Sequence, residues 1–341
     1  MSPHRKATAT AHANIALIKY WGKADEALII PRTSSLSLTL DELYTTTTVE
    51  FGGEGAEGAG GTDHATLDGA PVTGRAMERI TAFLDIVRER AGIRGAAQVA
   101  SVNTVPTAAG LASSASGFAA LAGAAAAAAG LDLDDRDLSR LARRGSGSAS
   151  RSVFGGLAVW NAGTDDATSY AEPVAGGQSF SDRLAIVVLV LDDGPKGISS
   201  REAMRRTVDT SPDYEPWVAH HARHLADARA AIADGDLERL GEATEANALG
   251  MHATMRGAVP PVDYLTAASR AAVQTVQAAR DAGFPAWATM DAGPNVKVLT
   301  SAEQAEALNS WLYDRLAPAT PGLRTLVTHA GPGLTVEKGQ S

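Results

Sequence analysis

The sequence contains no cysteine among its 341 residues. This excludes disulfide bonds, thiolate nucleophiles and cysteine-ligated metal sites. Basic residues are also under-represented: 30 Lys and Arg stand against 39 Asp and Glu, which gives a net charge of −9 and a pI near 5.4. Nucleic acids and anionic membranes both require a basic face, so we expect neither as a partner. An anionic small molecule can still bind, through a few placed cations and backbone N–H groups.

Long apolar runs are missing as well. The most apolar candidate strand, 184–191, is far too short to cross a bilayer. Asn14 and Lys19 interrupt the apolar stretch near the N-terminus, which therefore lacks the apolar core of a signal peptide. We expect a cytoplasmic protein that is not attached to a membrane.

The length of the chain favours two domains, because a single hydrophobic core usually stops growing below this size. Strand and helix patterns do not alternate strictly along the sequence. This favours an α+β fold built in layers over a doubly wound sheet. The polar, glycine-bearing segment 163–181 ends near the domain boundary, so we expect domains at 1–182 and 183–341.

The N-terminal third has several strand patterns. Segment 7–23 indicates a strand that ends in a polar, aromatic-rich turn. Segment 34–40 alternates Ser or Thr with Leu, which is typical of a half-buried strand, and the β-branched segment 45–51 is predicted as its separate antiparallel neighbour. Between 52 and 61, glycines mixed with acidic residues indicate a hairpin tip to which we assign no chemistry.

One carboxylate stands at a tight turn. Asp291 follows the apolar run 286–290, and the sequence Ala-Gly-Pro-Asn after it leads into a second apolar run, 296–299. Gly, Pro and Asn together favour a sharp reversal, so the Asp291 side chain is expected at a strand end and held still. Alone, such an aspartate is more often only a turn former. Three polar or glycine-rich segments elsewhere supply what a catalytic base at this position needs.

The first of these segments, 106–117, is rich in Gly, Ala and Ser and lies between the predicted strand 99–105 and an alanine-rich helix, 118–129. A loop in this position leaves backbone N–H groups unpaired beside the positive end of the helix dipole, where phosphate commonly binds. The segment matches neither the Walker A nor the dinucleotide-binding pattern. From the residues alone, phosphate binding and a plain capped helix are equally good interpretations.

The second segment, 145–151, alternates Gly and Ser and ends in Arg151. A guanidinium can bind a carboxylate or phosphate through two parallel hydrogen bonds. The alternative is a flexible linker, but a strongly apolar strand pattern follows at once, at 153–160. We therefore interpret 145–151 as a binding loop.

The third segment places Lys19 and Lys23 on either side of an aromatic pair and a glycine. Both lysines can face an anionic ligand with the aromatic rings as a wall, although a strand end with solvated lysines is the alternative. Elsewhere, His220 and His224 lie on one helix face, but no third ligand with a recognisable spacing accompanies them. We predict no direct side-chain ligand for a metal.

Together these segments resemble the mevalonate diphosphate decarboxylases of the GHMP kinase superfamily. The similarity is close at 14–23, 106–117, 146–151 and 291–295, in the family's order and spacing, and weaker similarity runs from about residue 7 to residue 330. The resemblance implies a two-domain GHMP-kinase-like fold with an N-terminal domain that resembles the ribosomal protein S5 domain 2-like fold. It also implies an active site in the cleft between the domains.

The activity implied by the resemblance is ATP-dependent decarboxylation of (R)-5-diphosphomevalonate to isopentenyl diphosphate, through phosphorylation of the C3 hydroxyl. ATP is then the co-substrate, Mg²⁺ the accompanying ion and a homodimer the expected assembly. Related enzymes that decarboxylate mevalonate 5-phosphate, or that act as kinases on mevalonate, are the enzymatic alternative. A non-catalytic ligand sensor is the alternative from another class.

The resemblance also implies roles for individual residues. Asp291 matches the catalytic base, and Arg151 and Lys19 are the other catalytic residues; together they favour decarboxylation of the diphosphate. Substrate binding is implied for Lys19, Tyr20, Trp21, Gly22, Arg75, Ser146, Gly147, Ser148, Ala149, Ser150, Arg151, Ser200 and Thr210. ATP binding is implied for Lys23, Pro106, Ala109, Gly110, Leu111, Ser113 and Ser114. The sequence departs from many family members at Ser150, where they have Cys, and at Thr33, where they have Asn.

Overall fold

The computed structural model describes residues 6–52, 61–104, 113–192, 194 and 197–338. Four predicted ATP-binding residues lie outside these ranges: Pro106, Ala109, Gly110 and Leu111. Of Ser113, only the backbone is described. Across the described ranges, we find no helix with the length and apolar character needed to span a membrane.

The elements are numbered in chain order. The strands are β1 (Lys6–Ile18), β2 (Lys23–Asp25), β3 (Ile30–Pro31), β4 (Ser35–Phe51), β5 (His64–Leu67), β6 (Ala70–Pro71), β7 (Ala97–Asn103), β8 (Leu157–Trp160), β9 (Ala171–Pro173), β10 (Leu184–Val190), β11 (Trp287–Met290), β12 (Val296–Ser301), β13 (Arg324–His329) and β14 (Thr335–Lys338). The helices are α1 (Gly74–Ala91), α2 (Ser113–Ala128), α3 (Asp135–Gly145), α4 (Gly177–Ser181), α5 (Ser200–Thr210), α6 (Tyr214–Asp234), α7 (Leu237–Arg256), α8 (Ala267–Asp281) and α9 (Ala305–Leu316). Short 3-10 helices cover Gly147–Val153, Ala302–Gln304 and Ala317–Ala319.

The larger sheet has the order β14-β1-β4-β7-β5-β6; outside this order, β8 pairs with β4 and β9 pairs with β8. Segments 34–40 and 45–51, predicted as two neighbouring strands, form the single strand β4, so that prediction is wrong. Strand β1 pairs with both parts, and the irregularity between the His12–Tyr44 and Asn14–Thr39 pairs accommodates the extra residues of β4 between them. The partner strand, rather than the local sequence, keeps β4 extended.

The first half of β4 is buried on both faces, which corrects the half-buried strand predicted from its alternation. Leu36 and Leu38 pack into one apolar cluster with Leu184 and Ile186 of β10. The intervening serines are fully buried on the other face. An alternating pattern indicates two chemically different faces, but here neither of them is solvent. The strand therefore lies where the two domains meet.

The smaller sheet has the order β11-β12-β10-β13 and is antiparallel throughout. Its own apolar cluster includes Val187 and Val298 on the strands and Leu308 on α9. A second cluster, with Phe83, Leu84 and many alanines of α2, lies on the larger sheet. The two-domain α+β fold is thus confirmed. The exact boundary at 182/183 stays a prediction, and the last described strand, β14, returns to pair with β1.

Candidate active site

Asp291 lies directly after β11, at the turn that leads to β12. Its Oδ1 accepts a hydrogen bond from Lys19 Nζ at 2.8 Å, and its Oδ2 lies 3.2 Å from Lys297 Nζ. Both lysine side chains are 2% exposed, whereas 30% of the Asp291 side chain is open to solvent. Because Lys19 follows β1 of the larger sheet, this group of three charges joins the two domains.

The two lysines decide the ionisation of this carboxylate. Burial alone would raise the pKa of the Asp291 carboxyl, but the adjacent ammonium groups of Lys19 and Lys297 outweigh burial and hold that pKa well below its usual range. Asp291 is therefore ionised at neutral pH. It accepts hydrogen bonds readily but is a poor acceptor of a full proton.

Arg151 is carried by the 3-10 helix Gly147–Val153 and is almost completely buried. Its Nε donates to Ser37 Oγ at 3.0 Å, its Nη1 donates to Ser35 Oγ, and its Nη2 donates to Asn14 Oδ1 at 3.2 Å. The amide of Asn14 in turn donates to Ser152 Oγ at 2.8 Å. Burial lowers the pKa of Arg151 to about 10, so the guanidinium stays charged at neutral pH.

The serines under Arg151 were missed by the sequence reasoning, and so was the partner of Lys19 on α7. Asn247, fully buried, accepts a hydrogen bond from the Lys19 backbone N–H at 2.8 Å through its Oδ1. Its Nδ2 therefore faces His221 Nδ1 at 3.2 Å, which leaves His221 Nε2 to donate to the Ser34 carbonyl at 2.6 Å. His224 Nδ1 also lies 3.2 Å from this amide. Hydrogen bonds thus give both histidines a structural place between α6, α7 and the segment before β4.

Two glycines allow the aromatic wall to form. Tyr20 and Trp160 have ring centroids 4.8 Å apart, and a Cβ on Gly147 would come within 3.0 Å of both rings. Gly22 has φ +101°, and a Cβ there would lie 1.8 Å from Tyr214 Oη, which donates to the main-chain carbonyl before it at 2.8 Å. The second domain therefore holds the segment after β1 in place.

A cavity of about 650 Å³ opens over Lys19, Arg151 and Asp291. It joins a second cavity of about 610 Å³, and the cations shared by the two linings are Lys23, Arg75, Arg79 and Arg201. Arg79 and Arg201 both donate to the Gly145 carbonyl, at 3.2 and 3.4 Å. Burial, followed by the charges of Arg201 and Arg75, lowers the pKa of Arg79 to about 10. The cleft thus has Lys19, Arg151 and Asp291 at one end and a strongly basic group of side chains at the other.

Most predicted site residues meet in this cleft. Those that line it are Lys19, Tyr20, Trp21, Lys23, Arg75, Ser114, Ser146, Gly147, Ser148, Arg151, Ser200 and Asp291. Other predicted site residues line neither cavity. Ala149 and Ser150 are buried beneath the surface of segment 145–151, and Gly22 packs against Tyr214. Lining residues that the sequence reasoning missed include Asn14, Arg79, Arg201, Met204 and Met251.

Thr210 is the predicted residue that the structure separates from the others. It lies at the C-terminal end of α5, a helix of 11 residues, and thus about 15 Å from Ser200 at the other end. Its Oγ1 donates to the Arg206 carbonyl at 2.7 Å and accepts from the Val259 N–H at 2.8 Å. These contacts anchor a loop, so the predicted substrate contact finds no support in this geometry.

Ser114 lies in the first turn of α2, exposed and on the cavity lining. If Ser114 donates a hydrogen bond to an ATP phosphate, as the family resemblance implies, Ser114→Ala should lower kcat/KM for ATP by an amount equivalent to about 1.5–3 kcal/mol. Steady-state kinetics with ATP as the varied substrate measure this loss. Ser116→Ala is the matched control, since Ser116 Oγ is buried against Thr45 Oγ1 at 2.8 Å. Unchanged kinetics for Ser114→Ala would remove this residue from the ATP site.

Phosphoryl transfer requires positioning and neutralisation of charge more than covalent participation by the protein. A cleft with a row of cations at one end, and an ionised carboxylate between cations at the other, has the charge distribution that this chemistry needs. The fold and the site are therefore those of an enzyme that acts on anionic small molecules.

Comparison with known proteins specifies the family. A model described as diphosphomevalonate decarboxylase-like N-terminal domain matches residues 11–171, and one described as mevalonate 5-diphosphate decarboxylase C-terminal domain matches residues 186–334. The human diphosphomevalonate decarboxylase is 35% identical over 345 residues, which cover 94% of this chain and 83% of the human protein.

Solved structures agree with this. The structure described as MDDEF in complex with MVAPP, AMPPCP and magnesium has a TM-score of 0.91 and 47% identity, and the match covers 98% of this chain and 99% of that one. Mevalonate diphosphate decarboxylase from Staphylococcus aureus has a TM-score of 0.91 and 45% identity, with 98% of each chain covered. This chain belongs to the diphosphomevalonate decarboxylase family, of GHMP-kinase-like fold.

Proposed function

We propose that this protein catalyses the ATP-dependent decarboxylation of (R)-5-diphosphomevalonate to isopentenyl diphosphate, with ADP, phosphate and CO₂ as the other products. The observation that carries the proposal is the set of contacts made by the buried, charged guanidinium of Arg151. The contacts found for its guanidinium in the described residues are all with neutral side chains. A buried cation that contacts only neutral side chains, with the Asp291 carboxylate acting on it from beyond its hydrogen bonds, is costly, so the site is suited to an anionic ligand.

The remaining donors of Arg151 fit a carboxylate. A guanidinium has five N–H donors. Among the described residues, Ser37 takes the donor on Nε, Ser35 takes one on Nη1 and Asn14 takes one on Nη2, which leaves one donor on Nη1 and one on Nη2. Two parallel N–H groups match the two oxygens of a carboxylate. We therefore assign the substrate's C1 carboxylate to Arg151, with its C3 hydroxyl towards Asp291.

The reaction follows from this placement. The C3 oxygen attacks the γ-phosphorus of ATP, the bond from that phosphorus to the ADP oxygen breaks, and the hydroxyl proton leaves with the phosphate products. Departure of the C3 phosphate builds positive charge at C3. The electrons of the C1–C2 bond then form the C2–C3 double bond as CO₂ leaves. Because Asp291 is a weak base, its part is to orient the hydroxyl and to face the developing cation.

The basic end of the cleft suits the phosphates of both ligands. Lys23, Arg75, Arg79 and Arg201 supply cations there, and the N-terminal turn of α2 adds Ser114 and its dipole. The described residues include no group of three Asp, Glu or His side chains placed for a metal. This is compatible with Mg²⁺ that enters on ATP, since Mg²⁺ at nucleotide sites is held largely by phosphate oxygens and water.

The test is CO₂ release from mevalonate, its 5-phosphate and its 5-diphosphate, each with MgATP, with ADP measured in parallel. We expect CO₂ and ADP in equal amounts from the diphosphate and far less from the other two, because the four shared cations suit the longer phosphate chain. ADP formation without CO₂ would instead identify a kinase, and preference for the monophosphate would identify the related decarboxylase.

The cytoplasmic location and the homodimer belong to the same proposal. Both rest on the sequence and on the family resemblance.

A further inference from the structure

Lys297 on β12 is a buried charge that the reaction described above does not use. Its side chain lies within the smaller sheet, where it is opposite Thr289 of β11 and Val188 of β10. It does not line either cavity of the cleft. Its Nζ reaches Asp291 Oδ2 from outside the cavity lining, while Lys19 contacts Oδ1. Each oxygen of the carboxylate therefore has its own ammonium group.

A second lysine is not needed to keep Asp291 paired. Lys19 alone balances the single negative charge, so a second buried ammonium leaves the group with a net positive charge. Such a charge is expensive to bury, and an apolar side chain of similar volume would often be as stable or more so. A cation kept at this position therefore indicates a function of the site rather than stabilisation of the fold.

We propose that Lys297 is a positioning residue that fixes the plane of the Asp291 carboxylate from behind and keeps it ionised, so that Asp291 orients the acceptor hydroxyl without taking its proton. The inference rests on the proposed function and specifies how its central carboxylate works. Three other titratable groups bear on this arrangement: Lys19 and Arg151 from the first domain, and His252 from α7. Burial lowers the pKa of His252 to about 4, so this ring is neutral during catalysis.

The variant Lys297→Met should reveal this role. Removal of one neighbouring cation raises the pKa of Asp291. Since the site works with Asp291 ionised, activity is lost as the pH falls through that pKa, and the acid limb of the kcat profile should move to higher pH. We expect kcat to fall by about 10- to 100-fold, the loss that is typical when a residue that orients a functional side chain, such as a metal ligand, is mutated. KM for both ligands should stay within about twofold, because Lys297 touches neither cavity.

A matched control separates this role from a structural one. Thr300 lies on the same strand, is fully buried and has a hydroxyl without a hydrogen-bond partner in the described residues. Thr300→Val should leave the pH profile unchanged. If Lys297→Met lowers only the melting temperature and keeps the parent's pH profile and kcat, Lys297 is merely structural.

The absence of cysteine allows a chemical rescue. Lys297→Cys carries a single thiol, which 2-bromoethylamine alkylates in denaturant to give, after refolding, an ammonium on a side chain as long as lysine. The parent and the unalkylated variant pass through the same refolding. The alkylated protein should recover both the kcat of the parent and the position of the acid limb in the parent's pH profile. Recovery no greater than that of the unalkylated variant would overturn the inference.

A measurement without turnover keeps this inference distinct from the proposed function. With ¹³C-labelled aspartate carboxyl groups, the resonance missing in Asp291→Asn identifies Asp291, and its titration is followed in the parent and in Lys297→Met. The expected result is a higher pKa in the variant. Identical titrations would refute the inference even if the parent releases CO₂. A shifted titration in a parent that releases none would refute only the proposed function.

Discussion

Asp291→Asn is expected to bind MgATP and the diphosphate substrate but to lose turnover by several orders of magnitude. The amide is nearly isosteric with the carboxylate, so the turn between β11 and β12 can persist. It cannot supply the negative charge that faces positive charge at C3, and this interaction is strongest in the transition state. CO₂ release and calorimetric binding of both ligands measure the two effects separately.

The same substitution leaves Lys19 and Lys297 without a counter-charge. Removal of one partner from a buried ion pair typically costs about 3–5 kcal/mol, so the free energy of unfolding should also fall and kinetics must be measured well below the melting temperature. Asp192→Asn is the matched control, because Asp192 follows β10 and its Oδ1 accepts from the Gly194 N–H at 2.8 Å, as a turn aspartate does. A CO₂-release rate for Asp291→Asn within about tenfold of the parent, or about 1.4 kcal/mol, would make Asp291 a turn residue too.

The sequence predicted the parts of this site that stand in unusual local patterns. Asp291 is marked by a turn, Arg151 by a glycine-serine loop and Lys19 by its aromatic neighbours, and all three meet in the structure. Lys297 has no such mark, because a lysine in a short strand is usually a solvated side chain. Only the pairing of β12 between β10 and β11 shows that it is buried.

Prediction of the fold from the sequence is limited in the same way, to what local patterns display. The apolar face of helix α1 repeats along one segment, and such a repeat is a local property that the sequence itself displays. The continuity of β4 depends on β1, which is distant in the chain, and the burial of both its faces depends on β10 of the other domain. The serines that hold Arg151 lie in this strand. Alternation could have suggested a polar face, but not what that face contacts.

Arg151→Lys is expected to impair catalysis severely although the charge is retained. The guanidinium donates to Ser35, Ser37 and Asn14 from separate nitrogens and keeps two donors for a carboxylate. A lysine places all its donors on one atom and cannot reproduce that fork. Loss of two charge-assisted hydrogen bonds to the substrate, at about 1.5–3 kcal/mol each, predicts a fall in kcat/KM of about 100-fold or more.

Arg183 lies on the surface against Phe180, so Arg183→Lys is the control for a general effect of replacing arginine with lysine. Its kcat/KM should match that of the parent. The pH profile adds a further check. Burial lowers the pKa of Arg151 only to about 10, so the parent's guanidinium is protonated throughout the neutral range, and any change in the defect between pH 6 and 8 comes from the substituted lysine, whose pKa the same burial lowers. A lysine variant with nearly the parent's kcat/KM would mean that position 151 needs only a positive charge. The carboxylate would then have to be held by other groups in the cleft.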